Sequence, residues 1–230
     1  MYQLTSATKK IAALNKRLRI IQGGSSASKT VSILLLLINA AQSDTTPTIT
    51  SVVSESFPHL KKVAIRDFLQ IMEQHGYYKD ESWNRTDYIY TFETGSKIEF
   101  FSADQPMKVK GPRRDRLFIN EVNNVRFEAF QQLEIRTKEY IFLDFNPTVD
   151  FWLFSEIIGK RNDYDHIIVT YKDNEALDKP LLNRLNSAKE TKHGGKSMVK
   201  DNSVKWKQEF IQAGKSLTQY RTKQDLNVSV

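Results

Sequence analysis

The segment that most constrains the fold of this chain is Gly23-Gly24-Ser25-Ser26-Ala27-Ser28-Lys29-Thr30. A short apolar run at residues 18–21 precedes it, and a longer apolar run at residues 31–38 follows it. A strand, a loop of small residues, Lys-Thr and a helix is the layout of a phosphate-binding P-loop, with the pattern G-x-x-x-x-G-K-[ST]. Ser28 replaces the second glycine of that pattern. The alternative interpretation is a Ser/Gly-rich turn that caps an ordinary buried helix.

A P-loop binds phosphate because its backbone N–H groups form an anion-binding nest at the positive end of the following helix dipole. The segment from Gly23 to Thr30 therefore predicts binding of a nucleoside triphosphate. Lys29 is expected to reach the β- and γ-phosphates, and Thr30 to coordinate Mg2+ through its hydroxyl. Gln22, just before the loop, is a further candidate nucleotide contact, although it is equally well read as a plain strand residue.

Composition narrows the class of protein. The 230 residues suffice for one large domain, or one domain with an extension. The chain contains no cysteine, which excludes disulfides, thiolate metal sites and a cysteine nucleophile. A net charge of +7 favours polyanionic partners such as nucleic acid. The N-terminus lacks an apolar signal core and the run Ile33–Ile38 is too short to span a bilayer, so we expect a soluble intracellular protein without a membrane partner.

Apolar runs that alternate with helical periodicity predict an α/β fold with a mostly parallel sheet flanked by helices. With the P-loop, this is the P-loop NTPase fold of the ASCE/RecA-like type. An antiparallel hairpin is predicted at residues 88–101, around the turn Glu93-Thr-Gly-Ser. Strands are predicted at 18–22, 48–54, 117–119, 140–145 and 166–171, and helices at 29–42, 60–75, 127–137, 151–158 and 204–213.

The character of the sequence changes after about residue 172. We therefore expect an ATPase core at residues 1–175, including a short N-terminal arm, and a helical and basic extension or linker subdomain at 176–230. Within that extension, residues 189–207 are polar and basic and predict a surface loop.

A P-loop is expected to lie next to a second strand that ends in acidic residues. The candidate is Leu117-Phe118-Ile119-Asn120-Glu121. An apolar strand that runs into acid at its carboxyl end has the Walker B layout, and the carboxyl ends of parallel strands line the ligand crevice. Glu121 is the predicted general base for the attacking water and is also a predicted residue of the metal site. Asn120 stands where aspartate usually holds the hydration shell of Mg2+, and its carbonyl oxygen is predicted to accept hydrogen bonds from those waters. The alternative is a buried strand that ends in a solvated polar pair.

The ordered set of segments resembles the ATPase domain of large terminase subunits from tailed double-stranded DNA bacteriophages. The resemblance covers about residues 15 to 215. Its parts are IIQGGSSASKT, YIYTFETGSKIEFFSADQ, VKGPRRDRLFINEVNNVRFEAFQQLEIRTK, IFLDFNPTVDFWLF and VTYKDNEAL. The set is much more specific than the P-loop alone.

The resemblance implies that Lys29 and Thr30 handle phosphate and Mg2+, and that Glu121 is the catalytic carboxylate. It implies that Asn146 lies in a coupling motif that senses the γ-phosphate, whereas a plain strand-ending turn at Asn146-Pro147 is the alternative. It also implies an ATP-driven motor that packages double-stranded DNA in the cytoplasm of an infected bacterium. The implied partners are DNA, the portal protein, the small terminase subunit, a nuclease domain or separate nuclease chain, and further copies of the chain in a ring.

A motor of this kind needs a cation for the transition state, supplied in cis or by a neighbouring subunit. One candidate is Arg136 near a helix end, although it could instead pair with Glu134 or Glu139. The other candidates, Arg113 and Arg114, lie in a Gly-Pro-flanked loop just before the Walker B strand. The same loop could contact DNA phosphates instead, or be a solvated charged turn.

Two other functions stay open. One is a helicase-like P-loop motor, although the intact Asp-Glu pair of such proteins is missing. The other is a degenerate P-loop domain that binds DNA or scaffolds an assembly without turnover, since Ser28 and Asn120 both depart from the consensus. The acidic residues after residue 172 are scattered without strand context, so no nuclease activity is expected from them.

Overall fold

A computed structural model of the chain describes residues 4–147 and 150–190. Its strands are β1 Leu18–Gly23, β2 Ile49–Ser54, β3 Trp83–Asn84, β4 Ile89–Thr91, β5 Lys97–Ser102, β6 Arg114–Ile119, β7 Thr137–Phe145 and β8 Tyr164–Val169. Its α-helices are α1 Ser6–Ala12, α2 Lys29–Ser43, α3 Phe57–Leu60, α4 Arg66–Gln74, α5 Pro106–Val109, α6 Phe127–Glu134 and α7 Lys179–Glu190. The π-helices are Lys61–Ile65 and Leu153–Ile157, and the 3-10 turns are Asp80–Ser82, Val122–Asn124 and Tyr171–Asp173.

The eight strands form one sheet in the order β3-β4-β5-β2-β6-β7-β1-β8. The six strands from β5 to β8 in this order pair in parallel. This confirms the predicted α/β fold with a mostly parallel sheet. The order places the end of β1, where the P-loop begins, between β7 and β8, with β6 one strand further on.

The hairpin predicted at residues 88–101 is confirmed as the antiparallel pair β4 and β5. Its second strand is not an addition to the sheet, because β5 also pairs in parallel with β2 along its whole length. β3, which was not predicted from the sequence, continues the antiparallel edge next to β4. The edge carries a cluster of aromatic rings in which Trp83, Tyr90 and Phe100 pack around Phe68 of α4.

Alternate residues of each strand enter two separate cores, because successive side chains point to opposite faces of a sheet. On one face Ile21, Val52 and Phe118 pack with α1, α2 and α4. On the other face Ile20, Val53 and Leu117 pack with α6 and the π-helix Leu153–Ile157. Helices therefore cover both faces, as a parallel sheet requires.

Several helices and strands begin or end at residues that differ from the predicted ones. The helix predicted at 127–137 ends at Glu134, and β7 starts at Thr137, earlier than the predicted 140. The segments predicted as helices at 60–75 and 151–158 each contain a five-residue π-helix. The predicted loop at 189–207 overlaps α7 at residues 189–190. The rest of that loop and the predicted helix at 204–213 lie outside the described residues.

The chain divides into two compact units, Met1–Asp178 and Lys179–Val230. The first unit contains the whole sheet. Of the second unit the structure describes α7, a helix of 12 residues. No helix in the described ranges combines the length and the apolar character that crossing a bilayer demands. The predicted division at residues 175/176 stays a prediction.

Ser28 adopts the left-handed conformation, with φ 54° and ψ 23°, at the N-cap of α2. Left-handed backbone costs a residue with a Cβ about 1–2 kcal/mol, a cost that glycine avoids. Glycine in turn loses about 0.4–1 kcal/mol through the entropy of the unfolded chain. The departure from the P-loop pattern is therefore a strained serine in a glycine-favouring conformation.

We expect Ser28→Gly to raise the free energy of unfolding by about 0.5–1 kcal/mol, because relief of strain exceeds the entropic cost. Chemical denaturation of the two proteins measures the difference. Ser25→Gly is the matched control, since Ser25 lies in the same loop but is not among the described residues with positive φ. The control should lose stability; an equal gain in both variants would contradict the strain argument.

Candidate active site

The carboxyl ends of β6, β7 and β1 lie side by side and open into one cleft of about 230 Å³. Its lining includes residues from the P-loop, the ends of β6 and β7, and α4. Gly23 brings β1 close to β8: a Cβ at this position would lie 2.2 Å from the carbonyl oxygen of Val169. The first glycine of the P-loop pattern is thus required by strand packing.

Lys29, the first residue of α2, is buried in this cleft with 7% of its surface exposed. Its Nζ donates hydrogen bonds to the carbonyl oxygens of Gly23 at 2.7 Å and Gly24 at 3.1 Å. A third bond reaches Oδ1 of Asn146 at 2.9 Å. Burial lowers the pKa of Lys29, and the nearby carboxylates of Asp144 and Glu121 oppose that shift. The lysine ammonium is therefore held at the P-loop by oxygen atoms from the end of β1, from the loop after it and from the residue after β7.

Asp144 is a candidate site residue that was not predicted from the sequence. It lies in β7, is 2% exposed, and accepts hydrogen bonds from the backbone N–H of Glu121 at 2.8 Å and Nδ2 of Asn120 at 3.1 Å. The Thr30 hydroxyl donates to its other oxygen at 3.4 Å. Burial raises the pKa of Asp144, whereas Lys29 and the two donors that follow β6 lower it. One carboxylate thus joins the P-loop helix to the Walker B strand.

Glu121 follows β6 in a left-handed conformation, with φ 54°. Its Oε2 accepts a hydrogen bond from Nδ2 of Asn124 at 3.2 Å, and Nε2 of His59 lies 3.3 Å from the same oxygen. Its side chain is 31% exposed and borders the cleft. The carboxylate that was predicted as the general base is therefore positioned by two side chains and accessible to solvent.

Asn120 is turned differently from the prediction. Its Nδ2 faces Thr30 at 3.3 Å and Asp144, while its Oδ1 accepts a hydrogen bond from Ser54 at 3.3 Å. A carboxylate accepts hydrogen bonds and does not donate them, so the neighbouring Asp144 favours this orientation of the amide. The oxygen that was predicted to contact metal-bound waters is directed at β2.

Gln22 lies at the end of β1 and is buried, and its Oε1 contacts Nε2 of His166 at 3.0 Å. Its side chain is thus bonded to β8. A nucleotide contact for Gln22 stays a prediction. Burial lowers the pKa of His166 from 6.5 to about 4.

The lowered pKa of His166 predicts that the free energy of unfolding depends on pH. Between pH 6.5 and about 4 the unfolded chain binds a proton at His166 that the folded chain does not bind. The free energy of unfolding should therefore fall as the pH drops through this window, by about 3 kcal/mol from this group. Denaturation curves across the window measure it, with His166→Gln as the comparison. The variant should lack this part of the slope, and equal slopes in both proteins would refute the assignment.

Arg113 and Arg114 are not brought to the cleft. Arg114 begins β6 and Arg113 precedes it, about 20 Å along the strand from Glu121 at the usual rise per residue. Arg114 is buried, with its guanidinium 5.5 Å from the ring centroid of Phe101 and one bond to the carbonyl of Pro112. Arg113 is exposed. Arg136, whose guanidinium bonds to Gln132, is also absent from the cleft lining. Within the described part of one chain none of the three arginines lies at the cleft, and a finger role stays a prediction.

Residues of α3 and α4 also reach the site without having been predicted. Arg66 and Asp67 line the cleft, where they form an ion pair at 2.7 Å, and His59 contacts Glu121. Of the candidate site residues that were not predicted, Asp144 alone has a recognisable sequence signal, because it is an acidic residue inside the apolar strand segment IFLDF. For His59, Arg66 and Asp67 the sequence carried no comparable signal, because a helical residue can face any of several neighbours.

The family model for the phage terminase large subunit matches residues 15–207. This chain belongs to the phage terminase large subunit family. The match confirms the resemblance stated from the ordered segments. A search of curated proteins found no match.

Solved terminase structures show the same fold. The large terminase of a thermophilic bacteriophage is 17% identical with a TM-score of 0.70, over 80% of this chain and 50% of that one. Its complex with ATP-γ-S is 19% identical with a TM-score of 0.63, over 74% and 43%. The ATPase domain of the Thermus phage P74-26 large terminase is 10% identical with a TM-score of 0.59, over 88% and 91%. This terminase chain thus spans about half the length of the first of these proteins.

Proposed function

We propose that this chain is an ATP-hydrolysing motor domain that drives double-stranded DNA into a viral procapsid. The observation that carries the proposal is the meeting of Lys29, Thr30, Asp144, Glu121 and Asn146 at one cleft. A buried lysine, a hydroxyl and carboxylates at a helix N-terminus are the groups that phosphoryl transfer needs. The large terminase of the thermophilic bacteriophage, which has the same fold, was solved with ADP and with ATP-γ-S.

Each residue has a distinct role in this proposal. Backbone N–H groups from Gly24 to Ser28 and the Lys29 ammonium bind the phosphates. Glu121 accepts a proton from the attacking water while the oxygen of that water bonds to the γ-phosphorus. The bond between the γ-phosphorus and the β–γ bridging oxygen breaks, which gives ADP and phosphate. Asn146 contacts Lys29 and links the phosphate site to β7.

Hydrolysis of this kind implies Mg2+, and the donor set suits it. The Thr30 hydroxyl and the Asp144 carboxylate are oxygen groups 3.4 Å apart at the mouth of the P-loop. Mg2+ prefers oxygen ligands and is usually held by one or two carboxylates together with substrate phosphates. When bound, it would neutralise negative charge on the phosphates.

The proposed partners follow from the family and the charge. A net charge of +7 suits binding to the DNA backbone. In the packaging assembly the chain would form a ring on the portal protein, with the small terminase subunit and a nuclease domain or nuclease chain, in the cytoplasm of the infected bacterium. In such a ring the exposed Arg113 of one subunit would face the cleft of the next.

The test is release of phosphate from ATP with and without duplex DNA. We expect Mg2+-dependent turnover that duplex DNA accelerates. Absence of turnover under both conditions at high protein concentration would contradict the proposal, and tight ATP binding without turnover would favour a scaffold. Acceleration by single-stranded DNA alone would favour a helicase-like motor.

A further inference from the structure

The carboxylate of Asp144 occupies the place between the P-loop and the Walker B strand. β7 lies between β1 and β6 in the sheet, so its end is next to both. Asp144 bonds to Thr30 at 3.4 Å on the P-loop side, and to Asn120 and the Glu121 backbone on the other side. Among the described residues, Asp144 is the acidic side chain to which the Thr30 hydroxyl donates a hydrogen bond.

The other acidic groups at the cleft are engaged elsewhere. Glu121 contacts Asn124 and His59. Asp67 accepts two hydrogen bonds from the guanidinium of Arg66. Neither is bonded to Thr30 among the described contacts, which leaves Asp144 as the carboxylate adjacent to the predicted metal-binding hydroxyl.

Asn120 is neutral and cannot provide the negative charge of the aspartate that usually precedes the catalytic glutamate. Its hydrogen bonds explain how the site accommodates an amide at this position. The Asn120 amide donates to Asp144 and to Thr30, and its oxygen accepts from Ser54. An aspartate at position 120 would place a second carboxylate 3.1 Å from the first, where the two charges repel. An amide donor is the complementary partner of Asp144, so the residues at positions 120 and 144 form a matched pair.

We propose that Asp144 supplies the carboxylate that holds nucleotide-bound Mg2+, in place of the residue before Glu121. The inference rests on the proposed ATPase function. In the described ranges no cluster of three or more acidic or histidine side chains could cage a metal. One carboxylate and one hydroxyl are nevertheless sufficient for Mg2+ that is also bound by phosphates and water.

Binding of a non-hydrolysable ATP analogue, measured with Mg2+ and with EDTA, tests the proposal without turnover. We expect wild-type protein to bind the analogue at least about tenfold more tightly with Mg2+. Asp144→Asn should lose most of this difference while its affinity in EDTA changes little. Asp115→Asn, which alters a partly buried carboxylate near the start of β6 and away from the cleft, should behave like the wild type. Mn2+ bound in the analogue complex, counted by electron paramagnetic resonance, should fall only in Asp144→Asn.

The reciprocal variant Asn120→Asp/Asp144→Asn returns one carboxylate and one amide to the pair, and should regain most of the Mg2+ dependence. It also keeps the test available if Asp144→Asn alone fails to fold, which thermal unfolding will reveal. Full Mg2+ dependence in Asp144→Asn, or none in a folded reciprocal variant, would overturn the assignment of Asp144. A wild-type protein that binds no nucleotide under either condition would instead overturn the proposed function.

Discussion

Replacing Glu121 with glutamine is expected to reduce ATP turnover by about 100- to 10,000-fold while ATP binding is retained. Glutamine has the same shape and keeps an oxygen that Asn124 and His59 can contact, but it cannot accept the proton of the attacking water. The left-handed backbone at position 121 and the bond from its N–H to Asp144 do not depend on the side chain. The loss should therefore be confined to the chemical step.

Phosphate release under single-turnover conditions, together with equilibrium binding of ATP, separates the two effects. Glu128→Gln, an exposed glutamate on the adjacent α6, is the matched control and should retain turnover. Turnover of the Glu121 variant within about threefold of wild type would exclude Glu121 as the general base. Loss of ATP binding in the same variant would point to a role in nucleotide affinity.

Lys29→Ala is expected to weaken ATP binding by about 10- to 100-fold, since hydrogen bonds to a charged group contribute about 1.5–3 kcal/mol. The ammonium is the buried cation at the P-loop and would move its bonds from the carbonyls of Gly23 and Gly24 to phosphate oxygens. Its removal also leaves the buried Asp144 without the cation that lowers its pKa, so we expect the folded protein to lose stability as well.

Titration with a fluorescent ATP analogue measures the affinity, and thermal unfolding measures the stability. Lys62→Ala removes an exposed lysine from the nearby π-helix and should change neither quantity. Unchanged ATP affinity in a folded Lys29→Ala protein would mean that the segment from Gly23 to Thr30 is a helix-capping turn rather than a phosphate site.

The sequence predicts the fold well because its signals are local and redundant. The apolar strands at β1, β2 and β7, the amphipathic helices and the turn at residues 93–96 each follow from side-chain periodicity. Pairing partners do not follow in the same way. That β5 bonds to β2 on one side and β4 on the other depends on contacts far apart in sequence.

For the site, the sequence identified the groups that lie on the two motifs, Lys29 and Glu121, and the strand-ending Asn146. It missed Asp144 because a single acid inside an apolar strand matches no motif when β7 is read by itself. It misjudged the orientation of the Asn120 amide for the same reason, since the neighbouring carboxylate selects that orientation. Arg113 and Arg114 precede Glu121 closely in sequence, yet an extended strand separates them from it in space.

The bond between the side chains of Asn120 and Asp144 has a consequence for how related chains are recognised. Under the proposed role of Asp144, the negative charge for Mg2+ lies at the end of β7 in this chain rather than at the end of the neighbouring β6. A search pattern that demands aspartate before glutamate inspects one strand and would discard this chain as inactive. A pattern that scores positions 120 and 144 together would retain it, and would discard chains in which both positions are neutral.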